Sequence, residues 1–131
     1  MNFENLKVGL KNSAEKIVGE NDSALAVGSG SLKVLATPIM LAVMEKSAAD
    51  LVEKILPEEF TSVGISLDIK HTAPTPIGMK IFAQAEIIAV DGKKIIFEIV
   101  ANDECGEIGR GTHERFIVDR KKFQSKADSK I

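Results

Sequence analysis

Tryptophan and tyrosine are absent from this 131-residue chain, phenylalanine occurs only six times, and Cys105 is the single cysteine. With few ring faces to stack on bases and a net charge of −2 at a pI near 5.7, the chain has no general attraction for a phosphate backbone, which excludes nucleic acid as a partner class. One cysteine makes no internal disulfide, a usage that fits a reducing compartment. The first residues, Met1-Asn2-Phe3-Glu4-Asn5, lack the basic start and apolar run of a secretory leader. The longest apolar region, Val34 to Met44, is broken by Thr37 and Pro38 and is far short of the roughly 20 residues that span a bilayer. The expectation is a soluble, cytoplasmic protein with no membrane partner.

What is present is ordinary globular material. Hydrophobic residues make up 44% and charged residues 27%, too apolar a mixture for disorder, and 131 residues suit one core. Residues 1–131 are therefore read as one domain, with a polar tail from about 119 to 131 that is expected to fray.

Period-two patterning dominates the second half. In 61–71, Val63, Ile65, Leu67, Ile69 and His71 share one face while Ser62, Gly64, Ser66, Asp68 and Lys70 share the other. The same alternation runs through 79–90 and 93–102, and Asp91-Gly92 between them predicts a tight type I′ hairpin. A fourth strand is expected over about 107–118, after a turn at Asp103 to Gly106. The first half adds a weaker strand at about Asn12 to Val18 and a flexible loop at Gly28-Ser29-Gly30-Ser31. That loop lacks the third glycine and the preceding strand of a dinucleotide fingerprint. From Ile39 to Ile55 the apolar residues recur at helical spacing, and Pro57 marks the stop. Thr37 stands where an N-cap belongs and Pro38 suits the first helical turn. The first two turns carry no polar residue, so this helix should be wrapped on every side. The outline is α+β: an antiparallel sheet wrapped around one long central helix.

Four residues could carry chemistry. Glu45 is the first charge on the apolar helix, either an expensive inward carboxylate or an edge residue beside Lys46. His71 shares parity with four aliphatic residues and ends its strand, so it is either a satisfied core histidine or half of an acid/base pair with an inward Glu. Thr37 has a sufficient role as a cap, and it also sits where free backbone N–H groups favour an oxyanion. Arg115 shares a face with Gly109, Gly111 and His113. It could meet a phosphate or pair with a carboxylate such as Glu114 or Glu98, and the two glycines suggest close approach by a backbone or a ligand. Cys105 has no base at a diagnostic spacing, two separated histidines make no metal site, and neither a Gly-x-Ser-x-Gly elbow nor a phosphate loop occurs.

Four blocks stand in a distinctive order: Leu35-Ala36-Thr37-Pro38, Ser62-Val63-Gly64, His71-Thr72-Ala73-Pro74-Thr75-Pro76-Ile77-Gly78 and Gly111-Thr112-His113-Glu114-Arg115. From about Val34 to Phe116 the chain resembles the fluoroacetyl-CoA-thioesterase-like branch of the hot-dog-fold thioesterases. The resemblance implies a hot-dog fold and an acyl-CoA thioesterase with Thr37, Glu45 and His71 as catalytic triad. It further implies that the Gly64 N–H meets the thioester carbonyl, that the 71–78 loop borders the site, and that Arg115 lies near the CoA. The implied partner is a small acyl-CoA substrate bound at the interface of a homodimer or of a tetramer of paired dimers, with no cofactor beyond the CoA of the substrate and no metal. One departure stands out. A fluoroacetyl-specific pocket is expected to close with aromatic groups just upstream of the Thr, and here that segment is Val27-Gly28-Ser29-Gly30-Ser31-Leu32. The triad carries over and the specificity does not. Two rivals on the same fold are a non-catalytic acyl-CoA-binding module and an enoyl or hydroxyacyl thioester hydratase, whose usual Asp-x-x-x-x-His spacing is absent from the helix.

Overall fold

Period-two patterning resolves into one five-stranded antiparallel sheet. In the computed structural model, which describes residues 3–131, the strands are β1 (Lys11–Ile17), β2 (Phe60–His71), β3 (Lys80–Asp91), β4 (Lys94–Asp103) and β5 (Gly106–Asp119), in the spatial order β1-β3-β4-β5-β2. Met1 and Asn2, the start of the segment read above as lacking a leader, lie outside the described residues. Among the described residues the helical elements are a short 3-10 helix (Glu20–Asp22) and the α-helices α1 (Ala24–Val27), α2 (Thr37–Ile55) and α3 (Arg120–Asp128). None of the described helices is long and apolar enough to cross a membrane.

The sheet curls around α2. Met40, Met44, Ala48 and Val52 on the helix are fully buried and face Ile81, Ala83, Ala85 and Ile87 of β3 and Ile95, Phe97 and Ile99 of β4, which share the core cluster. β1 is pinned to the helix by Asn12, whose Nδ2 donates to the Ser47 carbonyl at 3.0 Å. The helix is nevertheless not enclosed. Pro38, Ala42 and Lys46, spaced by four residues, are exposed and Leu41 is only half-buried, because one curled sheet covers one side of a helix. The expectation of burial on every side therefore does not hold within one chain.

A β-bulge changes the reading of β2. Gly64 pairs with Arg115 and Ser66 with Glu114, which leaves Ile65 as the extra residue and inverts the alternation at that point. Upstream of the bulge Ser62 and Gly64 face the helix, with Val63 outside; downstream Leu67, Ile69 and His71 face inward as expected. The uniform alternation predicted for 61–71 is thus corrected at Val63 and Ile65, while His71 keeps its predicted direction. The Gly109 and Gly111 positions of β5 explain themselves: a Cβ at Gly111 would run into the Asp68 carbonyl, and one at Gly109 would stand 2.8 Å from the Lys70 oxygen. The backbone that approaches is that of β2.

Three local expectations are also corrected. The β3–β4 turn residues are Gly92-Lys93, with Asp91 paired to Lys94; only Gly92 has positive φ (61°), which suits a turn with glycine first rather than a type I′ turn. The Gly28 to Gly30 segment is tied down, since the N–H groups of Gly28, Ser29 and Gly30 all donate to the Ala24 carbonyl. The polar tail is helical: Asp119 caps α3 through the Lys122 N–H at 2.9 Å, and Arg120 donates to Glu53 and to the Glu58 and Phe60 carbonyls.

Candidate active site

Helix α2 starts one residue earlier than its capping logic suggests. Ala36 occupies the N-cap position and Thr37 the first helical one, so the Thr37 side chain is released from capping. Its Oγ1 lies instead 2.7 Å from His71 Nδ1. The other ring nitrogen, His71 Nε2, is buried with no hydrogen-bond partner among the described residues. An unmet polar atom of this kind costs about 1–3 kcal/mol, which is tolerated where a ligand completes it. Burial holds the His71 pKa below the usual imidazole value; the Ala73 backbone offsets part of this without closing a hydrogen bond onto Nε2. The ring is therefore neutral near pH 7. Together Thr37, His71, Thr72, Ala73, Pro74, Val34 and Leu35 line an open cleft of about 310 Å³. The loop after His71 is held by a buried pair, Thr75 Oγ1 donating to Asp103 Oδ2 at 2.8 Å, and by the Leu35 N–H on the Thr75 carbonyl at 2.8 Å.

Glu45 belongs to a second cluster. Eight residues along α2 from Thr37 it has advanced about 12 Å. Its side chain is 39% exposed, which lies between the two readings left open above, and its Oε2 sits over Gly64, 3.6 Å from Arg115 Nη1. Arg115 is buried. Its Nε donates to Ser62 Oγ at 2.8 Å, its Nη2 to the Ser62 carbonyl at 3.0 Å, and its Nη1 lies 3.2 Å from His113 Nε2. Its carboxylate partner is Glu45, not the Glu114 or Glu98 considered above. His113, with 0% exposure, donates from Nδ1 to the Ser66 carbonyl at 2.8 Å. Burial depresses its pKa, and the neighbouring guanidinium adds to that effect. With Nδ1 as donor, the neutral ring turns a lone pair on Nε2 toward Arg115.

One chain therefore holds two groups of candidate residues, Thr37 with His71 and Glu45 with Gly64 and Arg115. His71 and Gly64 are seven residues apart on β2, about 20 Å at strand spacing. Ser62 and His113 were not singled out by sequence reasoning. The signal for His113 was its parity with Arg115; that for Ser62 was hidden by the bulge. Among the described residues no three His, Cys, Asp or Glu side chains stand together so as to hold a metal ion.

Residues 18–121 match the model of the family described as fluoroacetyl-CoA-specific thioesterase. The fluoroacetyl-CoA thioesterase of Streptantibioticus cattleyicolor is 34% identical over 98 residues, which cover 75% of this chain and 70% of that protein. A solved structure of the fluoroacetyl-CoA thioesterase FlK superposes with a TM-score of 0.89 at 27% identity, covering 96% of this chain and 98% of that one. A hot-dog-like protein from Thermanaerovibrio acidaminovorans, at 23% identity and a TM-score of 0.89 over 100% of this chain and 98% of the other, shares the fold. With most of its length matched, this chain belongs to the fluoroacetyl-CoA-specific thioesterase family and has the hot-dog fold.

Proposed function

We propose that this protein hydrolyses the thioester of a short or small acyl-CoA at a site assembled from two copies of the chain. The family supports the reaction, and a variant of FlK has been solved in complex with acetyl-CoA, at 27% identity and a TM-score of 0.90 over 95% of this chain and 98% of that one. The observation that carries the shared site is the separation of Thr37 and His71 from Glu45 and Gly64, too wide for one thioester to touch both groups within a chain.

The free edge of β2 supplies the means. It is twelve residues long, lies at the rim of the sheet, and exposes Ile65 (52%) and Leu67 (38%); it holds no proline, and its charged residues are Asp68 and Lys70, of opposite sign. Antiparallel pairing of β2 with its own copy about Asp68 sets Leu67 of one chain against Ile69 of the other. With the bulge absorbing Ile65, Gly64 of one chain comes opposite His71 of the other, inward faces matched. Each Asp68 gains Lys70 of the other chain as its diagonal neighbour, which offsets the like charges at the centre. The same pairing covers part of the exposed apolar side of α2.

At such a site Thr37 and the Gly64 N–H bind the thioester carbonyl and favour the oxyanion, a contribution of about 10² to 10³ per donor. Glu45 acts on water as general base or on the carbonyl carbon as nucleophile, and proton transfer of this kind is worth about 10² to 10⁴. In the base route a water proton passes to Glu45, the water oxygen bonds to the carbonyl carbon, and the C–S bond breaks. The acid leaves as carboxylate, and the CoA thiolate takes up a proton with His71 assisting. The CoA is part of the substrate, and no further cofactor enters. The exposed, unpaired Cys105 supports a reducing, cytoplasmic setting.

Mixed dimers test the shared site. A Thr37→Ala/His71→Ala double variant and a Glu45→Ala variant should each be inactive alone, and subunit exchange between them should restore roughly a quarter of wild-type thiol release, one intact site in half of the dimers. No recovery in verified mixed dimers contradicts the shared site.

A further inference from the structure

The core face of β4 ends on a charge. Ile95, Phe97, Ile99 and Ala101 share that face and are buried, and the next residue of the same parity is Asp103, itself buried. We propose that Asp103 is a positioning residue for the Thr37 and His71 half of the site, acting through the Thr75 hydroxyl to fix the two walls of the cleft against each other. The proposal rests on the thioesterase reading of that site.

A carboxylate on a core face is costly unless donors surround it. Asp103 has three: Oδ1 accepts the N–H groups of Cys105 at 2.8 Å and Gly106 at 3.2 Å, and Oδ2 accepts the Thr75 hydroxyl at 2.8 Å. Burial alone would raise its pKa, and these bonds outweigh burial and hold it below the ordinary carboxylate value, so the group is ionised near pH 7. The two backbone bonds stay within the β4–β5 turn, where an Asx-type turn accounts for them. Oδ2 is committed elsewhere, to a loop 28 residues away in sequence.

Thr75 stands where the two walls of the cleft meet. It is 0% exposed, and its carbonyl accepts the Leu35 N–H at 2.8 Å. Leu35 leads into the first wall: Ala36 follows it as the N-cap of α2, held by its own N–H on the Asp22 carbonyl at 2.9 Å, and Thr37 comes next. On the second wall the chain leaves His71 and is fastened to β5, where the N–H groups of Thr72 and Ala73 both donate to the Ile108 carbonyl. The 2.7 Å contact between Thr37 Oγ1 and His71 Nδ1 spans the two walls, so its length depends on how they are joined. The joint is Thr75 with Leu35 and Pro76 with Val34, and of the two loop residues only Thr75 has a side-chain donor. Its bond to an ionised acceptor is of the stronger, charge-assisted kind, and it ties the joint to the end of β4.

Steady-state hydrolysis of a small acyl-CoA, together with NMR of the two imidazoles, tests the link. Thr75→Val keeps the shape of the side chain and removes the hydroxyl. It should lower kcat about tenfold or more, since displacement of a reacting group by about 1 Å can cost about 10²-fold, and leave KM within about threefold. The ring resonances of His71 should move while those of His113, which is held by the Ser66 carbonyl and not by this loop, stay in place. Thr75→Ser, which keeps the hydroxyl, should bring both readouts back toward wild type. Should Thr75→Val fail to fold, Asp103→Asn keeps the shape, removes the charge, and should give the same pattern at several-fold magnitude. A folded variant with wild-type kcat, with His71 resonances unmoved, or with both imidazoles moved alike overturns the proposal. A wild-type protein that releases no thiol from any acyl-CoA would refute the thioesterase reading instead, and the His71 resonances would still decide whether Asp103 sets the position of that ring.

Discussion

Gly64 lies directly beneath the carboxylate of Glu45: a Cβ at that position would stand 2.6 Å from Glu45 Oε2 and 3.1 Å from His113 Cε1. Gly64→Ala must therefore push the carboxylate or the imidazole aside. Since misplacement of a reacting group by about 1 Å can cost about 10²-fold, kcat should fall by that order while the variant still folds. Activity within threefold of wild type in a folded Gly64→Ala protein would show that the carboxylate is free to move without consequence.

Thr37 faces His71 and not the helix end, and this separates two effects that a capping residue would combine. Thr37→Val keeps the shape and removes the hydroxyl. Because Ala36 is the N-cap, stability in urea should change by well under the roughly 1 kcal/mol typical of a lost cap, while kcat falls about 10²-fold. The reverse pattern, a destabilised and fully active variant, would return Thr37 to a structural role.

Both histidines of the chain, His71 and His113, have pKa values depressed by burial. A histidine with a lowered folded-state pKa leaves the unfolded chain as the better proton acceptor, so stability is highest above the ordinary value of about 6.5 and declines as the pH falls from there toward the folded-state value. With only two imidazoles, their ring protons can be followed individually by NMR. Both should titrate below 6.5, and denaturation midpoints should rise with pH through that window. An imidazole that titrates above 6.5 would contradict the neutral state assigned to it.

The free edge of β2 makes its own prediction. Leu67→Lys puts a charge on an exposed apolar edge position, a standard means of blocking strand pairing, and should yield a folded monomer with at least a hundredfold lower kcat/KM. An active monomer by sedimentation would rule out a site shared between chains.

The fold was legible because α2, β3 and β4 announce themselves by periodicity: Met40, Met44 and Val52 at helical spacing, Ile95, Phe97 and Ile99 at strand spacing. What could not be read depends on contacts distant in sequence. The bulge at Ile65 is set by the register of β2 against β5, and it turns Ser62 inward although local alternation points it out. Arg115 was visible as a charge on an inward face, but its partner Glu45 lies seventy residues upstream on another element. Thr37 carried every local mark of a cap, and only its approach to His71 shows its hydroxyl engaged elsewhere. Helix α3 has no apolar stripe to reveal it; its Asp119 cap and the bonds of Arg120 to Glu53 and the 58–60 backbone hold it. The candidate residues could be named from the sequence, and their division into two separated groups could not.

The most direct measurement is thiol release from a panel of acyl-CoAs by the wild-type protein and by Glu45→Ala and His71→Ala. Wild-type hydrolysis of small acyl-CoAs, with losses of about 10² to 10⁴ in each variant, is the result expected of an acid/base pair. Losses below about tenfold in both variants would contradict the assignment of Glu45 and His71 to the reaction.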